Sequence, residues 1–151
     1  MKIGVMADSH GNRAMVRQAV KRMGKVDMLF HLGDRYGDLS EPGAISLKGN
    51  CDFEKDAPLD WRGTLAGVSV YATHGHLYGV KMGPDRLIQT ARQNDWQLVL
   101  YGHTHIPEHM TQGDTVLVNP GSLVYPRGGS NRTAAVIEIV DGFIHVGFIV
   151  L

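Results

Sequence analysis

Apolar residues in this 151-residue chain come in short runs, and most runs end on glycine followed by carboxylate or imidazole side chains. Residues 2–7 read as a buried strand, with Ile3, Val5 and Met6 and little polarity. Asn12 then has the chemistry of a helix N-cap. The helix after it sets Met15, Val16, Ala19, Val20 and Met23 on one face, and Gly24 is its natural stop. Residues 27–32 form a second apolar strand, so the chain opens with a βαβ unit and a parallel strand pair. Further strands are predicted at 44–48, 68–73 and 98–101, with 64–67 turning into the second of these. Pro84 at the N1 position opens another helix, with Leu87, Ile88 and Ala91 inward. Beyond it the pattern is β only, at 115–118, 132–140 and 143–150, and Asp141-Gly142 is a two-residue hairpin signal. The reading is α/β first, then an antiparallel tail, in one domain spanning 1–151.

Composition narrows the function. Lys and Arg total 15, as do Asp and Glu, so the net charge is zero. That balance argues against a nucleic-acid binder held by phosphate neutralisation, and only 7% of residues are aromatic stacking platforms. A stable nucleic-acid partner is therefore not expected, nor is a polybasic membrane surface. No apolar run has the ~18 residues of a membrane span, and no signal peptide is expected at the start. One cysteine, Cys51, cannot form an internal disulfide, which fits a reducing cytoplasm.

The polar clusters behind the strands carry the chemistry. They are Asp8-Ser9-His10, Gly33-Asp34, Gly49-Asn50-Cys51-Asp52, His74-Gly75-His76 and Gly102-His103-Thr104-His105. In an α/β sheet, loops beyond the carboxyl ends of strands converge on one crevice. Carboxylate, imidazole and amide donors suit divalent ions such as Mn²⁺, Fe²⁺, Ni²⁺ or Zn²⁺. Asp8, His10, Asp34, Asn50, His74, His103 and His105 are too many donors for one ion. Two ions sharing a carboxylate would use them all, an arrangement suited to displacement at phosphorus.

The order D-x-H, G-D, G-N-x-[DH], H-G-H, G-H-x-H resembles the calcineurin-like metallophosphoesterase superfamily. With GNCD at 49–52, the chain looks like its small, YfcE-type phosphodiesterases over residues 2–127, Asn119-Pro120-Gly121-Ser122 included. The resemblance implies a four-layer αββα sandwich of two mixed sheets flanked by helices. It implies one metal on Asp8, His10 and His105, a bridging Asp34, and a second metal on Asp34, Asn50, His74 and His103. Mn²⁺ is the expected pair, with Ni²⁺, Co²⁺, Fe²⁺ and Zn²⁺ as substitutes. A hydroxide between the metals would attack the phosphorus of a small phosphodiester or nucleotide, and Asn50 would also touch a phosphate oxygen. The alternatives are a phosphomonoesterase, a nucleotide polyphosphate hydrolase, or a non-catalytic protein-binding scaffold of the same fold. A homo-oligomer is a further expectation from the family.

Many relatives carry histidine where this chain has Cys51, and a neutral thiol is a poor acid for a leaving group. The expectation is slower chemistry with a preference for activated leaving groups. Cys51 and His76 are the candidates to assist, with His76 also able to touch substrate. His31, His109 and His145 read as structural, Arg13 and Arg127 as surface charges, and 119–122 as a Pro-Gly turn whose Ser122 hydroxyl lies within reach of the site.

Overall fold

The computed structural model describes residues 1–53 and 56–151. The opening strand, β1 (Lys2–Met6), pairs in parallel with β2 (Met28–His31), and helix α1 (Arg13–Met23) crosses between them. The Asn12 side chain caps α1, accepting from the Met15 N–H at 3.1 Å, a contact of a kind that stabilises by ~1 kcal/mol. Strand β3 keeps only Ile45–Ser46 of the predicted 44–48. It is followed by β4 (Asp60–Leu65), β5 (Val68–Thr73), helix α2 (Asp85–Gln93) and β6 (Leu98–Leu100). The chain closes with β7 (Pro107–Gln112), β8 (Thr115–Pro120), β9 (Thr133–Val140) and β10 (Phe143–Val150).

Among the described residues these strands form two five-stranded mixed sheets, ordered β10-β9-β1-β2-β3 and β4-β5-β6-β8-β7. Each sheet contains three parallel strands, β1-β2-β3 at one side of the first and β5-β6-β8 in the middle of the second. The sheets pack face to face through Ile3, Val5, Phe30 and Leu32 on one side and Val70, Ala72, Leu98 and Leu100 on the other. Helix α1 covers the outer face of the first sheet with Val16, Ala19 and Met23. Helix α2 covers the second with Leu87, Ile88 and Ala91 against Tyr71, Val99 and Leu117. The result is the αββα sandwich.

Three local expectations change. Pro84 caps α2 from outside at φ −85° and ψ 0° instead of occupying its first turn. Thr64 and Leu65 belong to strand β4, and the turn into β5 is made by Ala66 and Gly67, both at positive φ. Strand β7 lies where no strand is predicted. The Asp141-Gly142 hairpin is as expected, with φ of 51° and 81° as a type I′ turn requires. No helix among the described residues is long and apolar enough to cross a membrane.

Candidate metal centre

The parallel strands of both sheets end on the same rim. Asp8 follows β1, Asp34 follows β2, Asn50 follows β3, His74 follows β5 and His103 follows β6. The chain leaves these strands in an unusual conformation. Among the described residues, nine non-glycine residues have positive φ, and five of them are candidate ligands: Asp8 at 55°, His10 at 46°, Asp34 at 56°, His103 at 70° and His105 at 61°. Positive φ is uncommon outside glycine, although Asp and His adopt it more readily than most side chains, and it gathers at working sites. Glycine makes the loop crossing possible. A Cβ on Gly49 would lie 2.3 Å from Asp34 Oδ1, and one on Gly33 would lie 2.6 Å from the Gly49 nitrogen.

Two donor sets result. One atom each from Asp8, His10, Asp34 and His105 lie within 4.8 Å of one another, as do atoms from Asp34, His74 and His103. Asp34 belongs to both. Its Oδ2 is 3.9 Å from His10 Nε2 and its Oδ1 is 3.5 Å from His74 Nε2. Asp8 Oδ1 is 3.2 Å from His105 Nε2. In the second set His74 Nε2 is 3.1 Å from Asn50 Oδ1 and 3.2 Å from His103 Nδ1. Asp8, His10, Asp34, Asn50, His74, His103 and His105 thus lie together at this rim.

The hydrogen bonding behind these atoms orients their lone pairs. The Leu32 carbonyl, 2.8 Å from His74 Nδ1, can only accept, so Nδ1 carries the proton and Nε2 presents a lone pair to Asn50 and Asp34. The Tyr125 carbonyl, 2.7 Å from His105 Nδ1, does the same on the other side. A ring nitrogen tied to a carbonyl, with the other aimed into a cluster of oxygens, is the arrangement of a metal-binding histidine. Acceptors this close repel unless a proton or a cation lies between them. Among the described residues, Asp8 Oδ1 and His10 Nε2 are buried atoms without a hydrogen-bond partner, and both face the first set. The donors therefore fit divalent cations, in two positions joined by Asp34.

The charges respond to this crowding. Burial disfavours the charged form of Asp34, but His74 and the Cys51 N–H at 2.8 Å outweigh it and hold the carboxyl below its usual range. Burial also opposes a charge on His105, yet Asp8 raises its pKa. Burial, then His74, then Lys81 push His103 down to about 4.

The profile of the Calcineurin-like phosphoesterase superfamily domain matches residues 1–142. The chain belongs to this superfamily. The Bacillus subtilis protein called probable metallophosphoesterase YsnB is 30% identical over 154 residues, 98% of this chain and 90% of that one. The Escherichia coli phosphodiesterase YfcE is 34% identical over 102 residues, 62% of this chain and 52% of that one. Among solved structures, a predicted phosphoesterase from Streptococcus pneumoniae TIGR4 superposes with a TM-score of 0.86 at 34% identity, covering 99% of this chain and 88% of that one. The superfamily binds divalent metals, and the two clusters are where this member could hold them.

The accessory candidates are less uniform. Cys51 sits beside Asn50, whose amide N–H lies 3.4 Å from its sulfur. Burial and then Asp34 push its thiol up to about 11. The His76 ring lies 5.3 Å from that of His74 and 6.1 Å from that of His103, and its Nδ1 is buried without a partner. Burial and then His74 lower its pKa. Asp52 is internal bracing, accepting from the N–H groups of Arg35 at 2.7 Å and Gly49 at 2.8 Å.

The 119–122 segment is more than a turn. Asn119 Nδ2 donates at 3.0 Å to both the Gly102 carbonyl and Thr104 Oγ1, locking the His103–His105 loop. Ser122 Oγ donates to the Asp8 backbone carbonyl at 3.0 Å and accepts from Val124 and Tyr125, so it braces the site instead of facing the donors. Arg13 reaches Asp38 at 3.8 Å. Two further features go beyond the sequence reading. The exposed Tyr125 ring lies 5.2 Å from His10, at the edge of the first set. Fully buried His31 accepts from the Gly33 N–H, donates through Nε2 to Ser9, and Ser9 donates to Asp38 at 2.7 Å. The alternation of polar and apolar residues carries no signal for either.

Proposed function

We propose that this chain is a phosphodiesterase with two divalent cations, Mn²⁺ in the first instance. Asp8, His10, Asp34 and His105 hold one, and Asp34, Asn50, His74 and His103 hold the other. The observation that carries the proposal is Asp34, whose two oxygens face separate donor sets. Carboxylate, imidazole and amide donors match Mn²⁺, Fe²⁺, Co²⁺, Ni²⁺ and Zn²⁺. When bound, such cations supply Lewis-acid activation of the ester and of water and offset the substrate's negative charge.

The protein's own groups do the rest. The carbonyl-anchored rings of His74 and His105 keep the centre from rearranging as charge builds on phosphorus. The Asn50 amide stands exposed at the rim, where it can donate to a phosphoryl oxygen. His76, whose ring lies 5.3 Å from that of His74 and whose Nδ1 has no hydrogen-bond partner, is the candidate to hold an ester oxygen. Cys51 is a thiol at neutral pH and a weak proton donor, so substrates with good leaving groups turn over fastest.

The test is hydrolysis of bis(p-nitrophenyl) phosphate beside p-nitrophenyl phosphate, in the presence of Mn²⁺. The diester is expected to react faster, and a chelator to abolish both rates. A faster monoester assigns a phosphomonoesterase instead. No turnover with Mn²⁺, Ni²⁺, Co²⁺ or Fe²⁺, together with a stoichiometric protein complex, assigns a scaffold.

A further inference from the structure

A groove of about 400 Å³ lies beside the donor sets, lined in part by Val80, Lys81, Thr104, Ile106, Glu108 and Arg127. It touches both histidine loops. Thr104 separates His103 from His105, the Arg127 N–H donates to the His105 carbonyl at 3.0 Å, and Val80 packs where a Cβ on Gly75 would stand. Its volume suits a nucleoside-sized group. Val80 and Ile106 offer apolar surface, and Ile106, with Gly128 against its side chain, is 42% exposed. Three charges line it, Lys81, Arg127 and Glu108. The Glu108 carboxylate is occupied, accepting from the hydroxyl of buried Tyr101. Among the described residues neither Lys81 nor Arg127 is paired with a carboxylate.

We propose that this groove binds one arm of the diester substrate and selects arms that carry a second anionic group, a phosphate above all. The inference rests on the phosphodiesterase reading and deepens it to a substrate class: phosphodiesters of phosphorylated alcohols, such as a nucleoside bearing a phosphate at its far end. The apolar surface takes the organic body, and Lys81 and Arg127 take the anion. Hydrolysis then breaks one P–O bond at the diester; water supplies the hydroxyl to phosphorus and a proton to the departing oxygen.

Two matched substrates test this: the p-nitrophenyl ester of thymidine 3′-phosphate, with and without a 5′-phosphate. They share a chromophore and differ only in the remote anion. The phosphorylated ester is expected to have a kcat/KM about 10-fold higher, mostly through KM. The ratio should fall towards one in a Lys81→Ala/Arg127→Ala double variant and below one in Lys81→Glu/Arg127→Glu. Both positions are exposed, so folding is checked by circular dichroism alone. A ratio near one in the parent protein, with turnover of both esters, overturns the groove and leaves the phosphodiesterase intact. If neither ester turns over, the phosphodiesterase reading fails, and calorimetric titration with thymidine 3′,5′-bisphosphate against thymidine 3′-phosphate decides the groove. Equal affinities, or a preference that survives both double variants, overturn it.

Discussion

The two donor sets share Asp34 but are built differently. The first combines two carboxylates, from Asp8 and Asp34, with His10 and His105. Three of its four members are buried, and its backbone is tied down by Asp8 N–H to the Gly33 carbonyl at 3.0 Å and by Ser122 from behind. The second has only the shared carboxylate, two imidazoles and the exposed Asn50 amide. Its His103 is half-buried and borders the groove that carries Lys81. Charge and rigidity set how tightly oxygen-rich sites hold cations. On the two-cation proposal, the comparison assigns retention to the first position and access to the second.

The largest effect that tests this contrast is the loss of what the sets share. Asp34→Asn is expected to lower bound metal to below one ion per chain and diester hydrolysis by about 10³-fold, read by plasma emission and by initial rates. A variant that keeps two ions breaks the shared-carboxylate account. A smaller effect separates the positions. His103→Gln should retain one ion and lose about 10²-fold in rate, while a chelator titration of the parent protein releases its ions in two steps. Simultaneous release would show the positions to be equivalent.

The smallest effect concerns the support beneath the first set. Burial holds His31 at a pKa of about 4, against 6.5 when unfolded. The unfolded chain therefore takes up a proton below pH 6.5 that the folded chain refuses until pH 4. Stability from this group is complete above pH 6.5 and declines as pH falls towards 4. The melting temperature should drop by several degrees over that window, and less steeply in His31→Gln. Parallel slopes for the two proteins would remove His31 from the account.

Much of this was legible in the chain itself. The central strands are apolar runs because both their faces are covered, and the donor clusters stand out as the polar residues that interrupt them. The edges of the second sheet were not legible. Strand β4, read Asp-Trp-Arg-Gly-Thr-Leu, and β7, read Pro-Glu-His-Met-Thr-Gln, lie at the two margins of one sheet and are largely half-buried or exposed. A strand with solvent on one side needs no apolar run. The part of Tyr125 and the bracing parts of Asn119 and Ser122 stayed hidden for another reason: they are played towards residues up to 114 positions away.

That separation has a consequence for biosynthesis. The hydroxyl that steadies the Asp8 carbonyl comes from Ser122, and the carbonyl that orients His105 comes from Tyr125. A growing polypeptide emerging from the ribosome carries Asp8 from the start but lacks its supports until most of the domain has been made. The candidate metal centre is thus completed only once residues 122 and 125 have been added to the chain.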